Sequence, residues 1–273
     1  MYGETVKQIR EAKNLSLKAV YTGICSKTNA IAFEKGERML AADKFSEVLA
    51  NLMVTTEEFH WIENGYRPAE KDYYLYLMRR SWNAQELEKF EQQLKSIERS
   101  ETVTQVWLAS YRLLNAYGQK RPLDEHDLGV VVSYFTRLSS WTLEDIHLFA
   151  SNCYTLPYDL MLGLLNEALK VQKRYAYYKD SDKIFATVLV NCLEEVFNQG
   201  DLLTASELLE HLKEFTGDIT MLGFKLFEKY YQARLIYQGE DQARGKKELQ
   251  KIYHVAEVLE DQLVMNEIKK VIS

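Results

Sequence analysis

Ser26-Lys27-Thr28-Asn29-Ala30-Ile31-Ala32-Phe33-Glu34-Lys35-Gly36 reads as one short helix with a marked start and a marked end. Serine is a preferred N-cap, and glycine closes helices because it enters the left-handed conformation without a Cβ penalty. The first turn carries Lys27, Thr28 and Asn29, polar side chains on a rod narrow enough to enter a DNA major groove. Working outward, Val6, Ile9 and Ala12 form the apolar stripe of a first helix ending near Lys13-Asn14. Ser16 caps a short second helix whose Leu17, Val20 and Tyr21 face inward, and Thr22-Gly23 breaks it at a corner that needs a positive φ. Ile31 and Phe33 are expected to anchor the third helix. Phe45, Val48, Leu49 and Leu52 mark a fourth, and Thr55-x-x-Glu58 is a capping box opening a fifth.

The 273 residues are enough for two domains, and 12 glycines with 3 prolines are too few for a turn-rich β protein. Leu, Glu, Lys, Ala and Gln recur at spacings of three and four, so the expected fold class is all-α. No apolar run reaches the roughly 18 residues needed to cross a bilayer, and the N-terminus lacks a signal-peptide pattern, so a cytoplasmic protein is expected. Cys25, Cys153 and Cys192 are odd in number and far apart, with no CxxC; neither a disulfide framework nor a metal site is expected. His60, His126, His147, His211 and His254 are scattered, and no nucleophile elbow, phosphate-binding glycine loop or HExxH motif occurs. The reading is therefore of a non-enzyme without a cofactor.

A net charge of −6 disfavours indiscriminate nucleic-acid binding, but the average hides a gradient. Residues 1–33 carry Lys7, Arg10, Lys13, Lys18 and Lys27 against Glu4 and Glu11, whereas residues 34–65 carry three basic against seven acidic side chains. The basic half holds the candidate groove reader, as a one-sided DNA-binding module requires. The candidate DNA contacts are Ser16, Lys18, Ser26, Lys27, Thr28, Asn29 and Lys35: Asn29 for bidentate bonds to a base edge, Thr28 for base or phosphate, Lys27 for phosphate.

The order Gly3, Ile9-Arg10, Lys13-Asn14-Leu15-Ser16, then Phe33-Glu34-Lys35-Gly36-Glu37-Arg38, resembles the lambda-repressor-like helix-turn-helix family. The resemblance implies a five-helix domain over 1–65 in which Arg10 and Glu34 form a buried ion pair. Ala30 and Ala32 stand where relatives often have larger residues, and Leu17 replaces a glutamine that often clamps a phosphate. Direct readers are few, so specificity can depend on DNA shape.

Asn64-Gly65-Tyr66-Arg67-Pro68 is the clearest punctuation in the chain and marks the expected boundary between domains 1–65 and 66–273. Beyond it, helices of three to five turns follow one another across short breaks, at Arg99-Ser100, Pro157, Gly200, Gly217 and Gly239 among others. Asn115, Asn152 and Asn191 fall at matching points on alternate helices, at a period near that of tetratricopeptide-like arrays. A carboxamide in such apolar surroundings needs a partner. Two readings stay open: a hydrogen bond to a neighbouring helix, or a clamp on the backbone of a bound peptide. Tyr154 and Tyr230 belong to a tyrosine-rich second half, and Arg234 could receive a carboxylate. With the asparagines they make the candidate peptide-binding set. Val255, Val258-Leu259, Leu263 and Ile268 form an apolar stripe expected to cap the array and to pair two copies.

A lambda-repressor-like module ahead of some 200 residues of degenerate helical repeats resembles the Rgg/GadR/MutR regulators. Trp141-Thr-Leu-Glu-Asp-Ile-His-Leu-Phe149 and Leu189-Val-Asn-Cys with Ala205 resemble their C-terminal region. The resemblance implies a right-handed tetratricopeptide-like array, a homodimer, binding to operator half-sites in double-stranded DNA, and response to a short signalling peptide of the quorum-sensing type. Some relatives link subunits through a cysteine after the reading helix; here that stretch is Met39-Leu-Ala-Ala-Asp, so no such bond is expected. The alternative is a helical-repeat scaffold whose helix-turn-helix module no longer reads DNA.

Overall fold

The computed structural model describes residues 1–99, 103–239 and 241–272. Helices are the regular structure throughout the described residues. They fall into two compact units, Met1–Gln85 and Glu86–Ser273. The divide thus falls after Gln85, so the helix that follows Pro68 groups with the first unit and not with the array. The expected break at Ser100 lies outside the described residues.

The first unit carries α1 (Tyr2–Ala12), α2 (Leu17–Tyr21), α3 (Lys27–Glu34), α4 (Ala42–Leu52), α5 (Thr56–Glu63) and α6 (Glu70–Asn83). Val6, Val20, Ala30, Phe33, Val48, Leu52 and Phe59 form its core, and the rings of Phe45 and Phe59 meet edge to face at 5.0 Å. Two sequence expectations are corrected here. Ala12, at the end of α1, is exposed. Ile31 is 36% exposed, because the 3.6-residue period that points Ala30, Phe33 and Glu34 inward turns Ile31 to the outside.

Gly3 lets α1 lie against α3, since a Cβ there would sit 1.7 Å from the Phe33 carbonyl oxygen. Gly23, at φ +85, makes the corner between α2 and α3, and Gly36, at φ +76, reverses the chain after α3.

The second unit carries α7 (Leu87–Ile97), α8 (Gln105–Gly118), α9 (Glu125–Thr136), α10 (Leu143–Asn152), α11 (Tyr158–Val171), α12 (Ser181–Gln199), α13 (Leu202–Phe215), α14 (Leu222–Gln238), α15 (Gln242–Val258) and α16 (Gln262–Ile272). Helices α8, α10, α12, α14 and α16 touch in that order and form one row. Helices α9, α11, α13 and α15 pack against the row from the other side, the alternation expected of paired-helix repeats. One continuous core runs from Ala109 and Phe135 through Phe149, Leu165, Phe185, Leu193 and Leu212 to Tyr230, Leu249 and Ile268. The C-terminal stripe splits: Ile268 is buried, while Val255, Val258, Leu259 and Leu263 lie open. Among the described residues no helix is long and apolar enough to cross a membrane.

Candidate functional site

In the first unit a buried polar knot fixes the reading helix. Arg10 grips Glu34 with two charge-assisted bonds, Nε to Oε1 at 2.7 Å and Nη2 to Oε2 at 2.8 Å, and Nη1 donates to the Leu15 carbonyl at 3.0 Å. Tyr21 completes the knot by donating its hydroxyl to Glu34 at 3.1 Å. Burial, with the Glu34 carboxylate beside it, pushes the Tyr21 phenol well above its ordinary range, so it stays a donor. The ion pair therefore ties α1, α2 and α3 together and does not itself face a ligand.

The outer side of α3 differs in character. Ser26, Lys27, Thr28 and Lys35 are exposed, as are Ser16 and Lys18 at the start of α2; Asn29 is partly buried. Ser16 and Ser26 accept from the backbone N–H of Ala19 and Asn29, at 3.1 and 3.3 Å, so both hydroxyls serve as caps. Lys35 lies 4.0 Å from Glu37. Arg38, which the residue pattern did not assign to this face, donates from Nη1 to Asn29 Oδ1 at 2.8 Å.

In the second unit the polar residues of the row form a ladder between neighbouring helices. Asn152 Nδ2 donates to Ser110 Oγ on α8 and to the Leu148 carbonyl, both at 2.7 Å. Asn191 Nδ2 donates to the Ala150 carbonyl at 3.0 Å. Tyr231 donates to the Val190 carbonyl at 3.1 Å, and Arg234 Nη1 reaches Glu194 at 2.9 Å while Nη2 reaches Asn198 at 3.3 Å. The Arg234 guanidinium also lies 4.8 Å from the centre of the Phe197 ring. Burial would lower its basicity, but Glu194 outweighs this and keeps the charge in place.

Of the six residues assigned to peptide binding, Asn152, Tyr230 and Arg234 are enclosed within this ladder and Asn115 lies apart from it. Asn115 accepts from Gln119 at 3.0 Å and lines a 260 Å³ cleft with Glu91, Lys95, Arg112 and Arg121. Ser110, five residues earlier on α8, holds the rung instead, because five residues turn a helix to a different face. Tyr154 and Asn191 are partly exposed, and Tyr154 stacks on Tyr117 with ring centres 5.5 Å apart. Two enclosed atoms, Asn152 Oδ1 and Arg234 Nε, have no hydrogen-bond partner among the described residues. The sequence reading also missed the row of partly or fully exposed polar residues on α12, Thr187, Asn191, Glu194 and Asn198. Its signal was the i, i+4, i+7, i+11 spacing around the one asparagine that was singled out.

The two units thus combine a helix-turn-helix pair, held by a buried ion pair, with an array of alternating helices joined by polar rungs. That is the build of an HTH-type protein with an appended helical-repeat domain. Residues 84–270 match the family described as HTH-type transcriptional regulator Rgg, C-terminal domain, and the chain belongs to that family.

Solved structures share the fold over nearly the whole length. A candidate transcriptional regulator from Listeria monocytogenes EGD-e is 23% identical, with a TM-score of 0.82 over 99% of this chain and 95% of that one. The pheromone receptor Rgg2 of Streptococcus dysgalactiae is 15% identical, with a TM-score of 0.78 over 99% and 98%. ComR from S. thermophilus, solved with DNA and its signalling peptide ComS, is 13% identical, with a TM-score of 0.64 over 99% and 98%.

Proposed function

We propose that this chain is a cytoplasmic, homodimeric transcription regulator that reads operator DNA with α3 and responds to a short peptide held by the row of helices that includes α10 and α12. The observation that carries the DNA half is the exposed polar first turn of α3, with Lys18, Lys27 and Lys35 around it and the Arg10–Glu34 knot behind it. Family membership and the DNA complex of ComR support the same reading. A homodimer would place two such helices on half-sites about 34 Å apart or a multiple of it.

The peptide half rests on α12. Asn191 and Asn198 stand seven residues apart, which at 1.5 Å per residue is roughly 10 Å, the span of about three residues of an extended chain. Beyond its bond to Ala150, Asn191 has Oδ1 and a second amide hydrogen to offer a peptide group, and Asn198, whose Oδ1 accepts from Arg234, offers its amide as a donor. Glu194 lies between them and Tyr154 is partly exposed in the short turn that follows α10, giving a polar centre with an aromatic flank. ComR and Rgg2, which share the fold, are a signalling-peptide complex and a pheromone receptor. Peptide would act through unequal affinity for two dimer arrangements. The open residues Val255, Val258, Leu259 and Leu263 offer an apolar contact for the second copy.

The test is fluorescence anisotropy with duplexes from upstream of the chain's own gene, with and without synthetic peptides encoded by short neighbouring reading frames. Sequence-selective binding that a peptide modulates supports the proposal. Salt-sensitive binding that ignores sequence supports the scaffold alternative.

A further inference from the structure

The turn that leaves α3 brings a second side chain back to its first residues. After Gly36 reverses the chain, Arg38 donates to Asn29 Oδ1 at 2.8 Å. A guanidinium has only N–H donors, so the atom facing it must be the carboxamide oxygen; the amide of Asn29 cannot be turned over while Arg38 is in place. The Asn29 backbone is pinned as well, by its N–H to Ser26 Oγ. Because the amide is planar, fixing Oδ1 on Arg38 fixes Nδ2 on the opposite side, as a donor.

We propose that Asn29 and Arg38 act as one composite donor unit that selects guanine where the first turn of α3 meets a base edge, with Arg38 as the positioning residue that sets this specificity. A free asparagine favours adenine, accepting from N6 on its carbonyl and donating its amide to N7. In this pair the carbonyl already serves a cation. Its second lone pair lies beside a full positive charge, a poor place for the amino hydrogens that adenine or cytosine presents. Guanine offers N7 and O6, two acceptors, to a unit that donates from both the amide and the remaining guanidinium N–H groups. In this proposal the bidentate base-edge contact expected of Asn29 from sequence is shared between Asn29 and Arg38. The inference rests on the proposal that α3 reads DNA.

The experiment uses the full-length chain and a randomised duplex pool to select bound sequences, followed by relative affinities for all four bases at each position. The wild type is expected to favour guanine at one position, and Asn29→Ala to flatten the preference there alone. Arg38→Met, which keeps an unbranched apolar stem and loses the donors, is expected to shift that position from guanine toward adenine by about fivefold or more. Arg38 is exposed, so the variant should fold, which its circular-dichroism melt will verify. An equal loss of affinity for all four bases in Arg38→Met would make Arg38 a phosphate contact and overturn the inference, as would an unchanged profile in Asn29→Ala. Those outcomes leave selective DNA reading intact. A wild-type chain with no base preference at any position overturns the DNA reading itself, and this inference with it.

Discussion

Asn191 donates to the carbonyl of Ala150, 41 residues earlier and on the preceding helix of the row. The rungs on either side repeat the step: Asn152 to Ser110 spans 42 residues and Tyr231 to Val190 spans 41. Helices α10, α12 and α14 are each hooked to the helix before them in the row by a side chain at nearly the same point of the repeat. The period is carried by these polar bonds, two made by asparagine and one by tyrosine, with a hydroxyl or a backbone carbonyl as acceptor.

The ladder separates two asparagines that look alike in sequence. Asn152→Ala removes two bonds from a wholly enclosed site and should lower stability by about 1–3 kcal/mol, read as a lower urea midpoint. Asn191→Ala removes one bond from a partly exposed site and should cost about 1 kcal/mol or less while weakening peptide binding in calorimetry. Equal stability losses with unchanged peptide affinity in Asn191→Ala would assign both asparagines to the scaffold.

Glu34→Ala leaves Arg10 charged and half its bonds unmade inside the first unit. Loss of one partner from a buried pair costs about 3–5 kcal/mol, so chemical denaturation of the variant should show the first unit melting early. DNA binding should fall with it, because α1, α2 and α3 meet at this pair.

Gly3→Ala tests the close approach of α1 to α3. The added methyl would meet the Phe33 carbonyl at 1.7 Å, so the helices must part, at a cost of about 1–3 kcal/mol in the thermal melt. Gly245→Ala should act similarly between α15 and α14, where a Cβ would lie 2.3 Å from the Tyr237 backbone.

Stability of the repeat unit should fall on acidification. Burial pushes the Glu228 carboxyl up, but hydrogen bonds from Lys225, Thr216 and Lys229 outweigh it and hold the group below its ordinary 4.5. A carboxylate held low in the folded state stabilises the fold above its unfolded value, and that contribution disappears as pH drops through the folded value. Urea midpoints should therefore decline below about pH 4.5, and Glu228→Gln should show a shallower decline. Parallel curves for the two proteins would remove Glu228 from the acid response.

Salt dependence checks the basic rim of α3. If Lys27 meets a phosphate, Lys27→Ala should reduce the slope of log affinity against log salt by about 0.9, with the base preferences retained.

Local chemistry made much of this protein legible in its sequence. Serine caps, glycine stops and three-four spacing depend on neighbours a few residues away, so the all-helical class, the α2–Gly23–α3 corner and the exposed turn from Ser26 to Thr28 could be read directly. The Arg10–Glu34 pair came from resemblance and stands in the structure with both oxygens engaged. Tertiary packing alone decided the rest. Which face of α8 meets α10 depends on helix rotation, and that put Ser110 on the rung and sent Asn115 to another cleft. The same holds for Arg38 and Asn29, nine residues apart in the chain and joined only because the reversal at Gly36 carries one back over the other. Sequence determined which side chains can donate and accept; only the folded arrangement, which sets their distance and direction, decided which of them meet.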